Sequence, residues 1–253
     1  MTYSFTKFIA VAAVALASYS ECAQAHLSYA GRDFGVFSGT GSQSTTITGQ
    51  TVPNNWGWAD GTDADFSHSH EIKFFKFTLE TTMTITISIE SLDPSVMLPG
   101  FSLYSGLAHS SPPDYETPLT IQYLATLPGP TKEGAFNPLD TWRMGNDLSS
   151  TYADFSTFTY IGHAADGTAA NYGNAAGING DGVADGFVTA TFTLAPGSYT
   201  LAVGGANYNG QGVDTTAHGI TATVAAIPEP GTLGLLIGGA LLSGAAVLRR
   251  RGK

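Results

Sequence analysis

Asp60, Asp63 and Asp65 bring three carboxylates into the six residues Asp60-Gly61-Thr62-Asp63-Ala64-Asp65, just before a predicted strand. A turn at this place lets alternate side chains and a backbone carbonyl converge on one hard divalent cation such as calcium. A second acidic stretch, Asn179-Gly180-Asp181-Gly182-Val183-Ala184-Asp185-Gly186, offers Asn179, Asp181 and Asp185 as oxygen ligands of the same kind. It departs from the EF-hand loop, because Gly177 stands at the first ligand position and Val188 where the bidentate glutamate belongs. The competing reading of both stretches is a solvated Asn/Asp/Gly turn, which needs no ion. His68 and His70 share a face of an extended segment, with Glu71 next in line. A zinc or copper site there needs a further ligand, and His109, His163 and His218 are the candidates. Histidines standing exposed in loops are the alternative.

Reaction motifs are lacking in the sequence: it has no nucleophile elbow, no His-Glu-x-x-His run and no glycine-rich phosphate loop. Carboxylates are plentiful, but a glycosidase pair needs a defined separation that abundance does not supply. Trp56, Trp58, Tyr104, Tyr115 and Trp142 would stack on sugar rings if exposed, whereas in a cysteine-free sandwich such aromatics more often fill the core.

The elements that position these residues are strands. Thr82 to Ile89 alternates strictly, with Met83, Ile85, Ile87 and Ile89 on one face and hydroxyls on the other. Val188 to Leu194 repeats the pattern, and after Ala195-Pro196-Gly197-Ser198 it resumes with Tyr199, Leu201 and Val203, which reads as a hairpin. Further strands are expected at Ile72 to Leu79, Phe101 to Tyr104, Phe155 to Ile161 and Ile220 to Val224, with Gly/Pro-rich loops at Ala108 to Ala135 and His163 to Gly186. The fold class is all-β: an antiparallel, jelly-roll-like β-sandwich with long Gly/Pro-rich loops, followed by a C-terminal transmembrane helix. From His26 to Ile227 the basic residues are Arg32, Lys73, Lys76, Lys132 and Arg143 against eighteen Asp and Glu, a formal balance of 5 − 18 = −13. Such a surface repels nucleic acid, and it repels anionic polysaccharide unless divalent cations intervene.

Both ends carry export signals. Lys7 precedes an apolar run from Phe8 to Ala17, and Ala23-Gln24-Ala25 supplies the small residues of a cleavage site. Ten apolar residues are too few for a hydrocarbon core about 30 Å thick, so residues 1–25 are expected to be a removed signal peptide. The single cysteine, Cys22, leaves with it, and the mature chain then holds neither a disulfide nor a thiolate metal site. At the other end Ile227-Pro228-Glu229-Pro230-Gly231 is followed by the uncharged stretch Thr232 to Leu248 and then by Arg249-Arg250-Arg251-Gly252-Lys253. Seventeen helical residues extend about 26 Å, enough to cross the inner membrane marginally. The basic cluster keeps its own end cytoplasmic.

Pro228, Glu229 and Pro230, the apolar helix and Arg249, Arg250 and Arg251 together resemble the PEP-CTERM sorting signal. The resemblance implies recognition by an exosortase, cleavage near the Pro-Glu-Pro motif and release to the cell surface or extracellular matrix of Gram-negative bacteria that make exopolysaccharide. In the middle, Phe74-Phe75-Lys76-Phe77-Thr78-Leu79 and Leu194-Ala195-Pro196-Gly197-Ser198-Tyr199-Thr200-Leu201 resemble strand motifs of the bacterial pre-peptidase C-terminal domain, a β-sandwich. Cleavage after Ala25 would also expose the amine and imidazole of His26 together, which resembles the first half of the copper brace of lytic polysaccharide monooxygenases.

The expected organisation is thus a signal peptide over 1–25, an extracellular sandwich over 26–226 and a sorting tail over 227–253. The expected role is non-enzymatic: an exported surface or matrix protein associated with exopolysaccharide, with calcium as its candidate ion. The alternative is a secreted polysaccharide-active enzyme or a copper-binding protein.

Overall fold

Alternation of apolar and hydroxyl side chains recurs in this sequence, as at Thr82 to Ile89 and Val188 to Leu194, and it produces strands with one dry face. The computed structural model describes residues 28–39, 41–58, 67–68, 71–107, 135–144, 156–172, 177–210 and 212–228. In chain order these form β1 (Asp33–Phe37), β2 (Gln43–Val52), β3 (Ser67–His68), β4 (Lys73–Leu79), β5 (Met83–Ser91) and β6 (Pro99–Ser105). They continue as β7 (Ala135–Phe136), β8 (Trp142–Met144), β9 (Ser156–Ala165), β10 (Phe187–Leu194), β11 (Gly197–Gly205) and β12 (His218–Pro228). Among the described residues no helix is long and apolar enough to cross a membrane. The expected signal peptide and the expected membrane helix lie outside them.

Two sheets pack face to face. One has six strands in the order β1-β4-β11-β6-β9-β8, the other four in the order β10-β5-β12-β2. The alternation read from β5 is realised in full: Met83, Ile85, Ile87 and Ile89 are all completely buried. They meet Phe75, Phe77, Phe101, Leu103, Leu201 and Val203 of the six-stranded sheet in the main core. Burying one such side chain contributes about 1.5–3 kcal/mol. Truncating Ile87 to alanine in this core would cost about 2–5 kcal/mol.

The structure corrects two expectations. The Pro196-Gly197 turn does not close a hairpin. β10 pairs with β5 in the four-stranded sheet, whereas β11 lies between β4 and β6 in the other. The turn therefore carries the chain across the core, and Tyr199 stacks on Phe77 at a centroid distance of 5.1 Å. Nor is the sandwich wholly antiparallel, because β1 runs parallel to β4, with Asp33 opposite Lys76 in register and paired to it by charge at 3.1 Å. The intervening β2 belongs to the other sheet, so the chain returns to the first in its original direction.

The six-stranded sheet is also covered on its outer side. Tyr29, Trp58, Ile72, Phe74, Tyr104, Phe158, Tyr172 and Ala202 make a second, smaller core there. Loops rather than strands provide its lid, and most of the chemically interesting side chains lie beneath it or at its margin.

Candidate functional site

The outer layer is built on glycines that let an indole lie flat against the sheet. A Cβ on Gly100 would stand 2.4 Å from Trp58 Cε3, and one on Gly204 would stand 2.5 Å from Ile72 Cγ2. Trp58 Nε1–H donates to Ser102 Oγ at 2.8 Å, and the Ser102 hydroxyl donates to the Pro138 carbonyl at 2.5 Å. Tyr104 donates to the Asn137 carbonyl at 2.6 Å. Those two carbonyls follow directly on β7, which pairs with β3, Ala135 against His68. The backbone of His68 is thereby tied to the strand that holds Trp58.

His163 stands opposite Ser102 on β9, its ring 5.9 Å from that of Trp58. Its Nε2 accepts the Asn179 N–H at 3.0 Å, which leaves the proton of the neutral ring on Nδ1, facing the Tyr160 hydroxyl in a short hydrogen bond. Burial holds its pKa below the ordinary histidine value. His218, at the start of β12, directs Nε2 to Asp214 Oδ2 at 2.6 Å and Nδ1 to Asp93 Oδ2 at 3.6 Å. Both ring nitrogens of His163 are held in hydrogen bonds, so it is not presented as a metal ligand, whereas His218 Nδ1 has only the longer contact to Asp93.

The acidic loop between β9 and β10 is organised around Asp166, which the sequence reading did not single out. Its side chain is fully buried and accepts the Asp185 N–H at 3.1 Å and the Gly186 N–H at 2.6 Å. Burial raises its pKa to about 6, against the pull of those two N–H groups and with the charges of Asp181 and Asp185 adding to the rise. Asp181 Oδ1 accepts from the Gly167 and Val183 N–H groups, both at 3.1 Å, and Asp185 Oδ1 from the Phe187 N–H. Asp181 and Asp185 thus share a loop, and their carboxylates cap backbone amides. Asn179 turns its own amide to His163 instead. No three His, Cys, Asp or Glu among the described residues are grouped as a metal site. Asp60, Asp63, Asp65, His26, His70, His109, Glu229, Pro230, Arg249, Arg250 and Arg251 lie outside the described residues.

Tyr172 locks this loop to the sheet by donating to the Asp166 carbonyl at 3.0 Å. A glutamine, histidine or serine pair at fixed spacing would have been visible in the sequence. Asp166 was not, because its importance comes from burial after a strand of ordinary composition.

Neither the family models nor the curated proteins compared with this sequence match it. Solved structures do. CorA, a surface-associated copper-binding protein of Methylomicrobium album BG8, aligns over 79% of this chain and 98% of its own at 16% identity, with a TM-score of 0.51. The secreted protein MopE of Methylococcus capsulatus, in which an oxidised tryptophan facilitates copper binding, aligns over 78% of this chain and 87% of its own at 16% identity and a TM-score of 0.43. The periplasmic g-type lysozyme inhibitor PliG of Aeromonas hydrophila aligns over 77% and 98% at 11% identity and a TM-score of 0.29. The likeness to CorA is one of fold.

Proposed function

We propose that this chain is an exported surface or extracellular-matrix protein with a binding or structural role, released by an exosortase-type enzyme and associated with exopolysaccharide. The observation that carries the association is the outer face of the four-stranded sheet. Thr189, Ser88, Thr223 and Thr46 fall in one row across its strands, and Thr191, Thr86, Ala225 and Ser44 in the next. Hydroxyl pairs hold the array: Thr46 with Thr223 at 2.9 Å, Thr86 with Thr191 at 3.0 Å and Ser88 with Thr189 at 3.1 Å. Sheet geometry repeats such groups about 4.8 Å apart across strands and about 7 Å apart along them. Glu90 is the one charged side chain among the described outward positions, on a chain with 20 acidic and 10 basic residues. A neutral hydroxyl face exchanges hydrogen bonds with sugar hydroxyls, free of the repulsion that the acidic remainder exerts on anions.

The test is co-sedimentation of the full-length chain with an insoluble neutral β-glucan. Thr86→Glu with Thr191→Glu places two carboxylates on the exposed face and should weaken binding at least tenfold. Equal binding by the variant, or none by the unmodified chain, overturns the association.

A second reading, a copper-binding surface protein, is supported by the fold shared with CorA. Copper titration of the full-length chain followed by electron paramagnetic resonance tests it. His68→Ala with His70→Ala should reduce affinity at least tenfold, and unchanged affinity would set this reading aside.

A further inference from the structure

Two carboxamides at one end of the sandwich hold oxygens that no donor among the described residues reaches: Asn55 Oδ1 and Asn207 Oδ1, both buried. Asn55 as a whole is only 4% exposed. Both side chains direct their NH2 to the same acceptor, the Val96 carbonyl, at 3.2 Å from Asn55 and 3.4 Å from Asn207. This fixes the orientation of each amide, since a flip would set oxygen against oxygen. An amide oxygen lies about 2.3 Å from its own nitrogen, so each of these oxygens lies within about 6 Å of the Val96 carbonyl oxygen.

The described backbone around them is held in place. The Asn55 N–H is held by Asp214 Oδ2 at 3.0 Å, and its carbonyl by the Asn207 N–H at 2.9 Å. Gly205 packs so closely that a Cβ on it would stand 1.9 Å from the Asn55 carbonyl carbon. Two donors described nearby are already committed: Trp56 Nε1–H to the Asp214 carbonyl and His218 Nε2 to the Asp214 carboxylate. Asp93 heads the same turn as Val96, its carbonyl accepting the Val96 and Met97 N–H groups at 3.1 and 2.9 Å. Its half-exposed carboxylate receives the Ser95 hydroxyl at Oδ1.

We propose that Asn55 Oδ1, Asn207 Oδ1 and the Asp93 carboxylate bind one oxygen-ligated divalent cation, calcium, with water completing its shell. Amide oxygens combined with a carboxylate suit a hard cation, and a shell of six to eight ligands in loose geometry suits calcium better than magnesium, which demands a near-ideal octahedron. The ion would join the turn at 54–58, the turn at 93–97 and the residue Asn207 that follows β11, pieces of chain that meet at this end of the sandwich. The site shares no residue with the two acidic stretches picked out in the sequence.

Calcium binding to the full-length chain is measured by titration calorimetry and by thermal melting, with magnesium and ionic-strength controls. Calcium should raise the melting temperature, and Asn207→Ala and Asp93→Asn, both at solvent-accessible positions, should each weaken its binding at least tenfold. Asp181→Asn with Asp185→Asn should leave that affinity unchanged. Failure of calcium to bind or to raise the melting temperature means that water satisfies the two oxygens, and the inference falls. Retention of full affinity in both single variants places any calcium elsewhere and overturns it equally.

Discussion

The Gly186 N–H reaches the buried Asp166 carboxylate at 2.6 Å and so fastens the residue just before β10 to the residue just after β9. The chain is pinned on both sides of this contact. The Asp166 N–H donates to the Pro99 carbonyl at 2.8 Å, and the Gly186 carbonyl accepts the Ser91 N–H at 2.8 Å. Gly186 adopts φ +80°, and a Cβ there would stand 2.3 Å from Pro94 Cβ. One carboxylate therefore sets where the acidic loop re-enters the four-stranded sheet.

That carboxylate predicts a pH dependence. Its pKa in the folded chain is about 6, above the ordinary 3.8. Between these two values the folded state binds more protons than the unfolded state, so this group's contribution to stability falls as pH rises through the window. At about 1.4 kcal/mol per pKa unit the loss has a ceiling of about 3 kcal/mol. Asp166→Asn removes the titration while leaving a constant penalty for the mismatched amide. Urea unfolding at pH 4 and pH 7 should show the gap between unmodified chain and variant shrinking by about 1–3 kcal/mol at the higher pH. A gap of constant size would mean that Asp166 titrates normally.

The bed of Trp58 predicts a steric effect. Gly100→Ala would force a methyl group to 2.4 Å from Trp58 Cε3, on a ring also held by Ser102. Overpacking of this kind costs about 1–3 kcal/mol. The expected result is a lower denaturation midpoint together with a red shift in tryptophan emission as the indole is lifted from the sheet. An unchanged midpoint would show that the outer layer yields without resistance.

These contacts mark what the sequence could and could not tell. Met83, Ile85, Ile87 and Ile89 announced their strand and its buried face because period-two alternation is local. The Pro196-Gly197 turn was visible for the same reason, but local pattern does not say which sheet each arm joins. That choice was made by β11, whose side chains are dry on both faces and which therefore needs a central place in a sheet covered on both sides. β2 escaped notice because its alternating partners are Thr, Ser and Gln at a sheet edge, with Ile47 and Val52 as its only large apolar residues. Asn55 and Asn207 read as turn residues, and only the packing of three distant segments deprives their oxygens of donors.

The proposed sorting tail gives a prediction. Pro228 is the last described residue of β12, opposite Met83, and Glu229 and Pro230 follow it in the sequence. If Pro228-Glu229-Pro230 is read by a processing enzyme, replacing the three with alanine should hold the protein in the inner-membrane fraction. Cell fractionation and immunoblotting check this, and normal release of the variant into the medium would remove the basis for the exosortase proposal.

Asp214 should show the opposite pH dependence to Asp166. Burial pushes its pKa up, but N–H groups of Thr216 and Asn55 and the hydrogen bond and charge of His218 outweigh it, and the net shift is downward. The unfolded state then binds protons more readily, so the contribution is present above the ordinary carboxylate pKa and is lost as pH falls through the lower folded value. Asp214→Asn keeps the shape but leaves one NH2 facing donors, on the side where Asp214 Oδ1 or Oδ2 now accepts. Hydrogen bonds to a charged acceptor are worth about 1.5–3 kcal/mol, and a loss of about 2–3 kcal/mol is expected at pH 7. Guanidinium unfolding at pH 7 and pH 3 measures it. The difference between the two proteins should narrow at pH 3, below the ordinary carboxylate pKa, as pH falls towards the lowered folded value. A variant as stable as the unmodified chain at pH 7 would show that His218 and the Asn55 backbone do not depend on this charge.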